Sequence, residues 1–227
     1  MPSDIRMSEQ VQSPRTAGMD IIWLPWRNLG KSASVGVATP VVRARIATMP
    51  VETMHPRITE LLEYVEAQTE SLRDAYESVP LDQRTVRPAP GRWSPAEVVH
   101  HLVIVDRRIA KRLAGLIEQA RALPPETETT SVLSSRNTRA AIDRTARFTT
   151  SEAAEPRDTD AARVWDDLVD VRRELTQLIA TGDGLALGAV SAPHPILGEF
   201  SGYDWIAFVG SHAARHADQI REASAAR

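Results

Sequence analysis

Three histidines have the spacing and the sequence surroundings of metal ligands. His212 and His216 are four residues apart, so on an α-helix both imidazoles project from one face, with Cβ atoms about 5–6 Å apart. That spacing lets two imidazoles bind one metal ion. His101 lies beside Leu102 on the apolar face of another predicted helix. Because the burial of imidazoles without partners is costly, the pattern favours a metal site, with hydrogen-bonded core histidines as the alternative.

A site with three histidine ligands leaves at least one coordination position open, which is typical of catalytic metal sites. Such a metal can acidify a bound water molecule or ionise a bound thiol. The chain contains no cysteine, which excludes disulfides, zinc ribbons, iron–sulfur clusters and a cysteine nucleophile, so any thiol must come from another molecule. Three hypotheses remain open: a thiol transferase or isomerase, a metal-dependent hydrolase of small molecules, and a non-catalytic metal-binding stress-response protein.

Four amphipathic helices are predicted to position the three histidines. The first follows His55, has apolar residues at spacings of three and four, and ends at Val79-Pro80. Residues 124–156 are polar and predict a loop region with room for one short helix. The third long helix is predicted at roughly 158–180, followed by a loop through Gly198. Four such helices make a helix bundle, so the predicted fold class is all-α.

The second and fourth predicted helices, which carry the histidines, begin with matching start signals. Ser94 and Glu97 form a capping-box pattern, and Pro95 suits the first helical position. Ser201 and Asp204 form the equivalent pair at the start of the fourth helix. Apolar residues occupy the two staple positions around each cap: Trp93 with Val98, and Phe200 with Trp205.

Charge and hydropathy narrow the class of protein. The chain has 227 residues and a formal net charge of −3, which argues against a general nucleic-acid binder because such proteins carry a basic face. No stretch approaches the roughly 18 apolar residues of a membrane span, and the start lacks the pattern of a secretory signal. We therefore expect a cytoplasmic protein with small-molecule partners and with no nucleic-acid or membrane partner.

Residues 1–53 differ from the rest of the chain. Glycine and proline interrupt them repeatedly, and they show no sustained helical or strand period. All five methionines lie at positions 1, 7, 19, 49 and 54, which leaves open that translation starts at or near Met54. The alternative is a genuine arm whose apolar patch at 21–24 docks on the protein. We predict an unstructured arm at 1–53 and a bundle domain at 54–227.

A chain that begins at Met54 should therefore fold like the full chain. We expect its circular-dichroism signal per folded residue to stay helical and its melting temperature to change by only a few degrees, because the removed residues lack the periodicity of a packed element. Thermal melts of both chains measure this. A truncated chain that fails to fold would place the arm in the core.

Two motifs resemble those of a known family. Residues 93–102, Trp-Ser-Pro-Ala-Glu-Val-Val-His-His-Leu, look like the second-helix motif of the DinB-like superfamily. Residues 212–220, His-Ala-Ala-Arg-His-Ala-Asp-Gln-Ile, are similar to its last-helix motif, in which His-x-x-x-His precedes Gln-Ile. The segment Pro193-His194-Pro195 with Gly198 also resembles the stretch before that helix. The resemblance covers about Met54 to Arg221 and includes both histidine motifs in order.

The resemblance implies an up-down-down-up four-helix bundle, frequent homodimers and one bound divalent metal ion, most often zinc or nickel. Carried over by position, the metal ligands are His101, His212 and His216. Characterised relatives include enzymes that use bacillithiol, mycothiol or glutathione. The resemblance therefore implies that the chain transfers a low-molecular-weight thiol to an electrophilic small molecule, or isomerises one with the help of a thiol. The arginine-rich composition makes mycothiol the first thiol to test.

Other polar residues near these motifs receive structural interpretations. We expect His100 to face a neighbouring element or solvent, since it lies about 100° around the helix from His101. His194 lies between two prolines in a predicted rigid turn, and a place at the mouth of the site remains open for it. The remaining interpretations are Glu97 as a helix cap, Asp106 as an exposed or interhelical charge, Arg215 as a structural salt-bridge partner, and His55 as a surface residue.

Overall fold

The computed structural model describes residues 54–122, 130–143 and 150–225, and within these ranges it is mainly helical. The prediction for residues 1–53 falls outside the described residues. The all-α fold class is confirmed, and α3 is the short helix for which the polar region had room. In the described residues, no helix is both long and apolar enough to cross a membrane. The helices are α1 Pro56–Glu77, α2 Pro95–Gln119, α3 Arg136–Ile142, α4 Val164–Thr181 and α5 Gly202–Ala225.

The four long helices share one apolar core. Each of them contributes at least one side chain with no exposed surface, such as Leu61 on α1, Leu102 on α2, Leu168 on α4 and Val209 on α5. These residues lie on the apolar faces predicted from spacings of three and four. Burial of such a face, more than helix propensity, is what stabilises a helix in a protein.

Contacts between α1 and α5 show that these two helices run in the same direction. The guanidinium of Arg57, at the start of α1, lies 5.1 Å from the ring centroid of Tyr203, at the start of α5. Toward the other end, Arg221 donates to the Ser71 carbonyl at 2.8 Å. The close approach of α1 and α5 requires a glycine at position 210, because a Cβ atom on Gly210 would lie 2.6 Å from the Tyr64 ring.

The directions of α2 and α4 complete the topology. Arg112 on α2 lies 5.7 Å from the Trp205 ring near the start of α5. His101, one to two turns into α2, instead meets His212 farther along α5, so α2 and α5 are antiparallel. His100 bonds Thr159, just before α4, and Asp106, farther along α2, pairs with Arg172, farther along α4, so these two helices run in the same direction. The up-down-down-up topology is confirmed.

Both predicted capping boxes are present at the helices that carry the histidines. Ser94 Oγ accepts from the Glu97 N–H at 3.3 Å, and Glu97 Oε2 accepts from the Ser94 N–H at 2.8 Å. At α5, Ser201 Oγ accepts from the Asp204 N–H and Asp204 Oδ2 accepts from the Ser201 N–H, both at 3.1 Å. These bonds satisfy backbone donors that a helix start leaves free, and they fix where each helix begins.

Two predicted boundaries were wrong. The third long helix was expected from about 158 but begins at Val164, because Asp158 takes a left-handed backbone conformation with φ 51° and a turn follows. The expected loop through Gly198 contains the antiparallel strands β1 Ser191–His194 and β2 Gly198–Ser201. Four-residue strands, one of which contains a proline, show too little alternation to be predicted. The hairpin matters because it places His194 beside α5.

Candidate metal centre

The three predicted ligand histidines meet inside the bundle. His101 extends from α2, and His212 and His216 extend from successive turns of α5. Their side chains are only 5%, 9% and 7% exposed, respectively. The ring centroids lie 5.1 Å apart for His101 and His212, 5.0 Å for His101 and His216, and 4.5 Å for His212 and His216. The rings are packed edge to face.

The Nε2 atoms of these histidines converge on one point. His212 Nε2 lies 3.0 Å from His216 Nε2 and 3.3 Å from His101 Nε2, and one ring nitrogen from each histidine lies within 4.8 Å of the others. Nitrogen ligands about 2.0–2.1 Å from a tetrahedral zinc ion are about 3.3 Å apart. The two separations that involve His212 Nε2 therefore match those of a metal site.

Hydrogen bonds on the far side of two rings determine which nitrogen carries the proton. His101 Nδ1 lies 2.8 Å from the Ala154 carbonyl oxygen, which can only accept, so Nδ1 is the donor. His216 Nδ1 donates to Gln219 Oε1 at 2.8 Å. In the neutral rings the lone pairs are therefore on Nε2 and point into the cluster. Such a bond on the second ring nitrogen is typical of metal-bound histidine.

The central histidine fits a metal ion better than it fits a hydrogen-bonded core. Among the described residues, the buried Nδ1 atom of His212 has no hydrogen-bond partner. With its proton on Nδ1, a neutral His212 leaves three Nε2 lone pairs facing one another. With its proton on Nε2, His212 cannot donate fully to both neighbouring Nε2 lone pairs, and its own buried Nδ1 lone pair has no donor. A divalent cation would accept all three lone pairs, so the donor set fits one.

Burial also keeps the ligands in the form that binds metal. It lowers the pKa of His101, while the bond to the Ala154 carbonyl acts in the opposite direction. The pKa of His212 lies well below its usual value, first because of burial and then because His216 and His101 are close. These two imidazoles are therefore neutral near pH 7, as metal coordination requires.

Aromatic side chains surround the cluster. The Trp93 ring lies 4.8 Å from the His101 ring, and the Phe208 ring stacks on His212 at 5.0 Å with an interplanar angle of 14°. His194, on β1, packs 4.8 Å from Phe208, and burial lowers its pKa to about 4. Its Nδ1 accepts from the N–H groups of Ile196 and Leu197. His194 therefore lies at the edge of the site, in the predicted turn and outside the ligand group.

The other histidines are held elsewhere. His100 Nδ1 bonds Thr159 Oγ1 at 2.9 Å, as expected for a residue that faces a neighbouring element. His55 is half-buried, and its side chain accepts from the Arg57 N–H and caps α1. The capping role adds to the expected position just before the first helix. Neither histidine takes part in the cluster.

Several partners of the site were missed by sequence reasoning. The Ala154 carbonyl and the Trp93 ring contact His101, and a carbonyl acceptor leaves no mark in the sequence. Of the two alternatives expected for Asp106, the structure shows the interhelical charge, since Asp106 is fully buried and pairs with Arg172 of α4 at 2.6 Å; its partner was not predicted. The position of Arg172 next to the apolar residue Val171 was the available sequence signal for the Asp106–Arg172 pair. Glu97 acts as the cap, as predicted, and also binds Arg87.

The fold and the site define a class: an up-down-down-up bundle with three inward histidines, one from the second long helix and two from the last. Comparison with known families agrees, because the DinB superfamily profile matches residues 63–220. The chain belongs to the DinB superfamily. The matched range includes all three clustered histidines.

One curated relative also matches the chain. The chain is 28% identical over 137 residues to "Uncharacterized protein YuaE" of Bacillus subtilis (strain 168), an alignment that covers 60% of this chain and 80% of the relative. No solved structure matches significantly.

Proposed function

We propose that the protein binds one divalent metal ion, zinc or nickel, through His101, His212 and His216. We further propose that it transfers a low-molecular-weight thiol to an electrophilic small molecule, or isomerises one with a thiol's help. The observation that carries the proposal is the convergence of three Nε2 atoms whose separations include 3.0 and 3.3 Å. Membership of the DinB superfamily supports it.

The composition supports an external thiol. The chain has no cysteine, so it has no thiolate of its own to offer as a nucleophile. A divalent cation held by His101, His212 and His216 would have an open coordination position, and it would supply the charge that favours the thiolate form of an added thiol. The thiolate is the nucleophilic form of a thiol.

The residues of the His212–His216 motif favour thiol transfer over hydrolysis. Metal-dependent hydrolases of the His-Glu-x-x-His type use the Glu as the general base that removes a proton from water, and this chain has Ala213 at that position. A thiol that is ionised by coordination needs no such base.

The protein's own side chains have separate tasks in this proposal. The Ala154 carbonyl and Gln219 orient the His101 and His216 rings through their Nδ1–H groups. Phe208 and Trp93 cover ring faces of His212 and His101 and limit the access of water to the ligands. A drier site strengthens the electrostatic attraction between a cation and an anionic sulfur.

The test is consumption of monochlorobimane with mycothiol, bacillithiol, glutathione or no thiol. In this reaction the thiol sulfur forms a bond to carbon as the carbon–chlorine bond breaks, chloride leaves, and the thiol proton passes to solvent. We expect thiol-dependent turnover that disappears in His101→Ala, because the third ligand is lost, and that persists in the neighbouring control His100→Ala. Metal-dependent turnover of an ester without any thiol would instead indicate a hydrolase. Inertness toward both would indicate a non-catalytic metal-binding protein.

A further inference from the structure

Two arginines continue the histidine-bearing face of α2 beyond the metal centre. Arg108 and Arg112, the arginine pair, are seven and eleven residues after His101. At about 3.6 residues per turn, both therefore point within about 20° of the direction of His101, and they lie about 10.5 and 16.5 Å farther along the helix. Both side chains are exposed. An anion can therefore reach both guanidinium groups from solvent without an enclosed cavity.

Arg108 lies close to the ligand of α2. Its guanidinium donates to the carbonyl of Ala153, and the carbonyl of the next residue, Ala154, accepts from His101 Nδ1. Burial lowers the pKa of His101, and the positive charge of Arg108 acts in the same direction. One bond to a carbonyl uses only part of a guanidinium group, which has five N–H donors. Arg108 therefore has donors left for a ligand beside the cluster.

Arg112 lies against aromatic rings that lead to the central ligand on α5. Its guanidinium carbon is 5.7 Å from the centroid of the Trp205 ring. The Trp205 and Phe208 rings are 6.3 Å apart, and Phe208 stacks on His212 at 5.0 Å. The buried Nε1 atom of Trp205 has no acceptor in the described part of the chain. Among those same residues, neither arginine of the pair has an ion-pair partner.

His194 adds a neutral donor beside the same rings. Its ring centroid lies 4.8 Å from that of Phe208 and 5.5 Å from that of Trp205. Its Nδ1 accepts from two backbone N–H groups, so its proton is on Nε2. The polar groups near the arginine pair are therefore N–H donors, and arginine binds carboxylates through two parallel hydrogen bonds. The proposed divalent ion would add further positive charge, which an anion would offset.

We propose that Arg108 and Arg112 bind the carboxylate of the thiol co-substrate, so that the protein prefers thiols that carry a carboxylate. That the carboxylate belongs to a thiol rests on the proposed function, whereas the recognition of a carboxylate rests on the arginine pair alone. Helical side chains lean toward the N-terminus of their helix, which brings both guanidinium groups closer to His101. A thiol of tripeptide size is long enough to reach from the cluster to the pair.

The binding test uses two forms of S-methylglutathione, which has no free thiol: the dicarboxylate and its diethyl ester. Each is titrated at constant ionic strength into the ¹⁵N-labelled full chain. The reporter is the indole N–H signal of Trp205, which lies against Arg112 and is assigned by its loss in Trp205→Phe. We expect the dicarboxylate to shift this signal saturably and to bind more tightly than the ester. Arg112→Gln should weaken the dicarboxylate about two- to fivefold, the size of an exposed ion pair, and leave the ester unchanged.

Arg107→Gln is the matched control. Arg107 is an exposed arginine of the same helix, and it lies about 100° around the helix from Arg108. The substitution removes the same charge as Arg112→Gln but should change neither affinity. The inference is overturned if the dicarboxylate leaves the Trp205 signal in place, if the ester binds as tightly, or if Arg107→Gln weakens binding as much as Arg112→Gln does.

Turnover of monochlorobimane separates this inference from the proposed function. S-methylglutathione cannot be transferred, so its binding does not depend on turnover. Binding that weakens in Arg112→Gln, in a protein without thiol-dependent turnover, would support the carboxylate recognition and contradict the proposed function. Turnover with the same KM for glutathione and its diethyl ester would support the proposed function and overturn this inference. We expect Arg112→Gln to raise the KM for glutathione about two- to fivefold with little change in kcat, as for a group that acts in binding.

Discussion

His212→Ala should lose stoichiometric divalent metal, falling from one ion per chain to essentially none after dialysis. His212 is the central ligand, with its Nε2 within 3.3 Å of both other Nε2 atoms. Its removal takes away a direct ligand, so the affinity loss should exceed the roughly 10- to 100-fold loss that follows removal of an outer hydrogen-bond partner. Elemental analysis of purified protein measures the metal content, and His101→Ala and His216→Ala should behave in the same way.

The remaining histidines provide controls with matched chemistry. His100→Ala should keep its metal, because His100 points toward Thr159 although it adjoins His101 in sequence. His55→Ala and His194→Ala should also keep it, since their rings accept backbone N–H bonds at a helix start and a hairpin turn. Full metal occupancy in His212→Ala would falsify the ligand assignment.

The pH dependence of metal occupancy should follow the burial of the ligands. Imidazole binds metal only when neutral, so protons compete below the pKa of each ligand. The sequence alone predicts that the affinity of the protein for the metal falls as the pH drops through about 6, near the ordinary pKa of histidine. Burial lowers the pKa of His101 and of His212, so proton competition at these two ligands should begin at a lower pH.

The histidine cluster was predictable because its signals are local. A spacing of four residues places two side chains on one helix face, and the apolar residues around His101 set the face on which it lies. Capping boxes at Ser94 and Ser201 then fixed where the two helices begin. All of these signals lie within one or two turns of the chain, so they can be read without knowledge of the tertiary structure.

The features that were missed depend on tertiary contacts. The acceptor of the His101 Nδ1–H is a backbone carbonyl 53 residues away, and every residue type has such a carbonyl. The hairpin that brings His194 to Phe208 has four-residue strands, which are too short to show a period of two. Helix α4 begins later than predicted because Asp158 adopts a positive φ, a conformation that an aspartate can adopt but does not require.

Arg172 was not predicted as a core residue from the sequence. Its side chain, from α4, forms hydrogen bonds with residues of the other three long helices. From α4 it donates to Asp106 of α2 at 2.6 Å, to Thr69 of α1 at 3.0 Å and to the Val209 carbonyl of α5 at 3.4 Å. Asp106 has no exposed surface and Arg172 only 6%. Burial raises the pKa of Asp106, and the guanidinium opposes that rise. Removal of one partner from a charge pair that is so deeply buried is costly, because the other charge then stays buried without compensation.

Arg172→Met should therefore lower the free energy of unfolding by about 3–5 kcal/mol, the usual cost of removing one partner from a buried ion pair. Equilibrium urea unfolding at neutral pH measures it. The exposed pair of Arg173 with Asp170 on the same helix, 62% and 56% exposed, supplies the control. Arg173→Met should cost about 0.5 kcal/mol or less. Equal losses in the two variants would contradict the assigned role of Arg172.

Two further measurements separate a lost charge pair from lost packing. In Arg172→Met the unpaired Asp106 is ionised only at a cost, so its pKa should rise further above its value in the unfolded chain. A carboxyl whose pKa is raised on folding contributes stability at low pH that is lost as the pH rises through the raised pKa. The deficit of Arg172→Met should therefore grow as the pH rises above the ordinary pKa of an aspartate, about 3.9, whereas a packing defect would not depend on pH. The double variant Asp106→Leu/Arg172→Met should recover most of the loss, because an apolar pair of similar volume replaces two buried charges at little net cost.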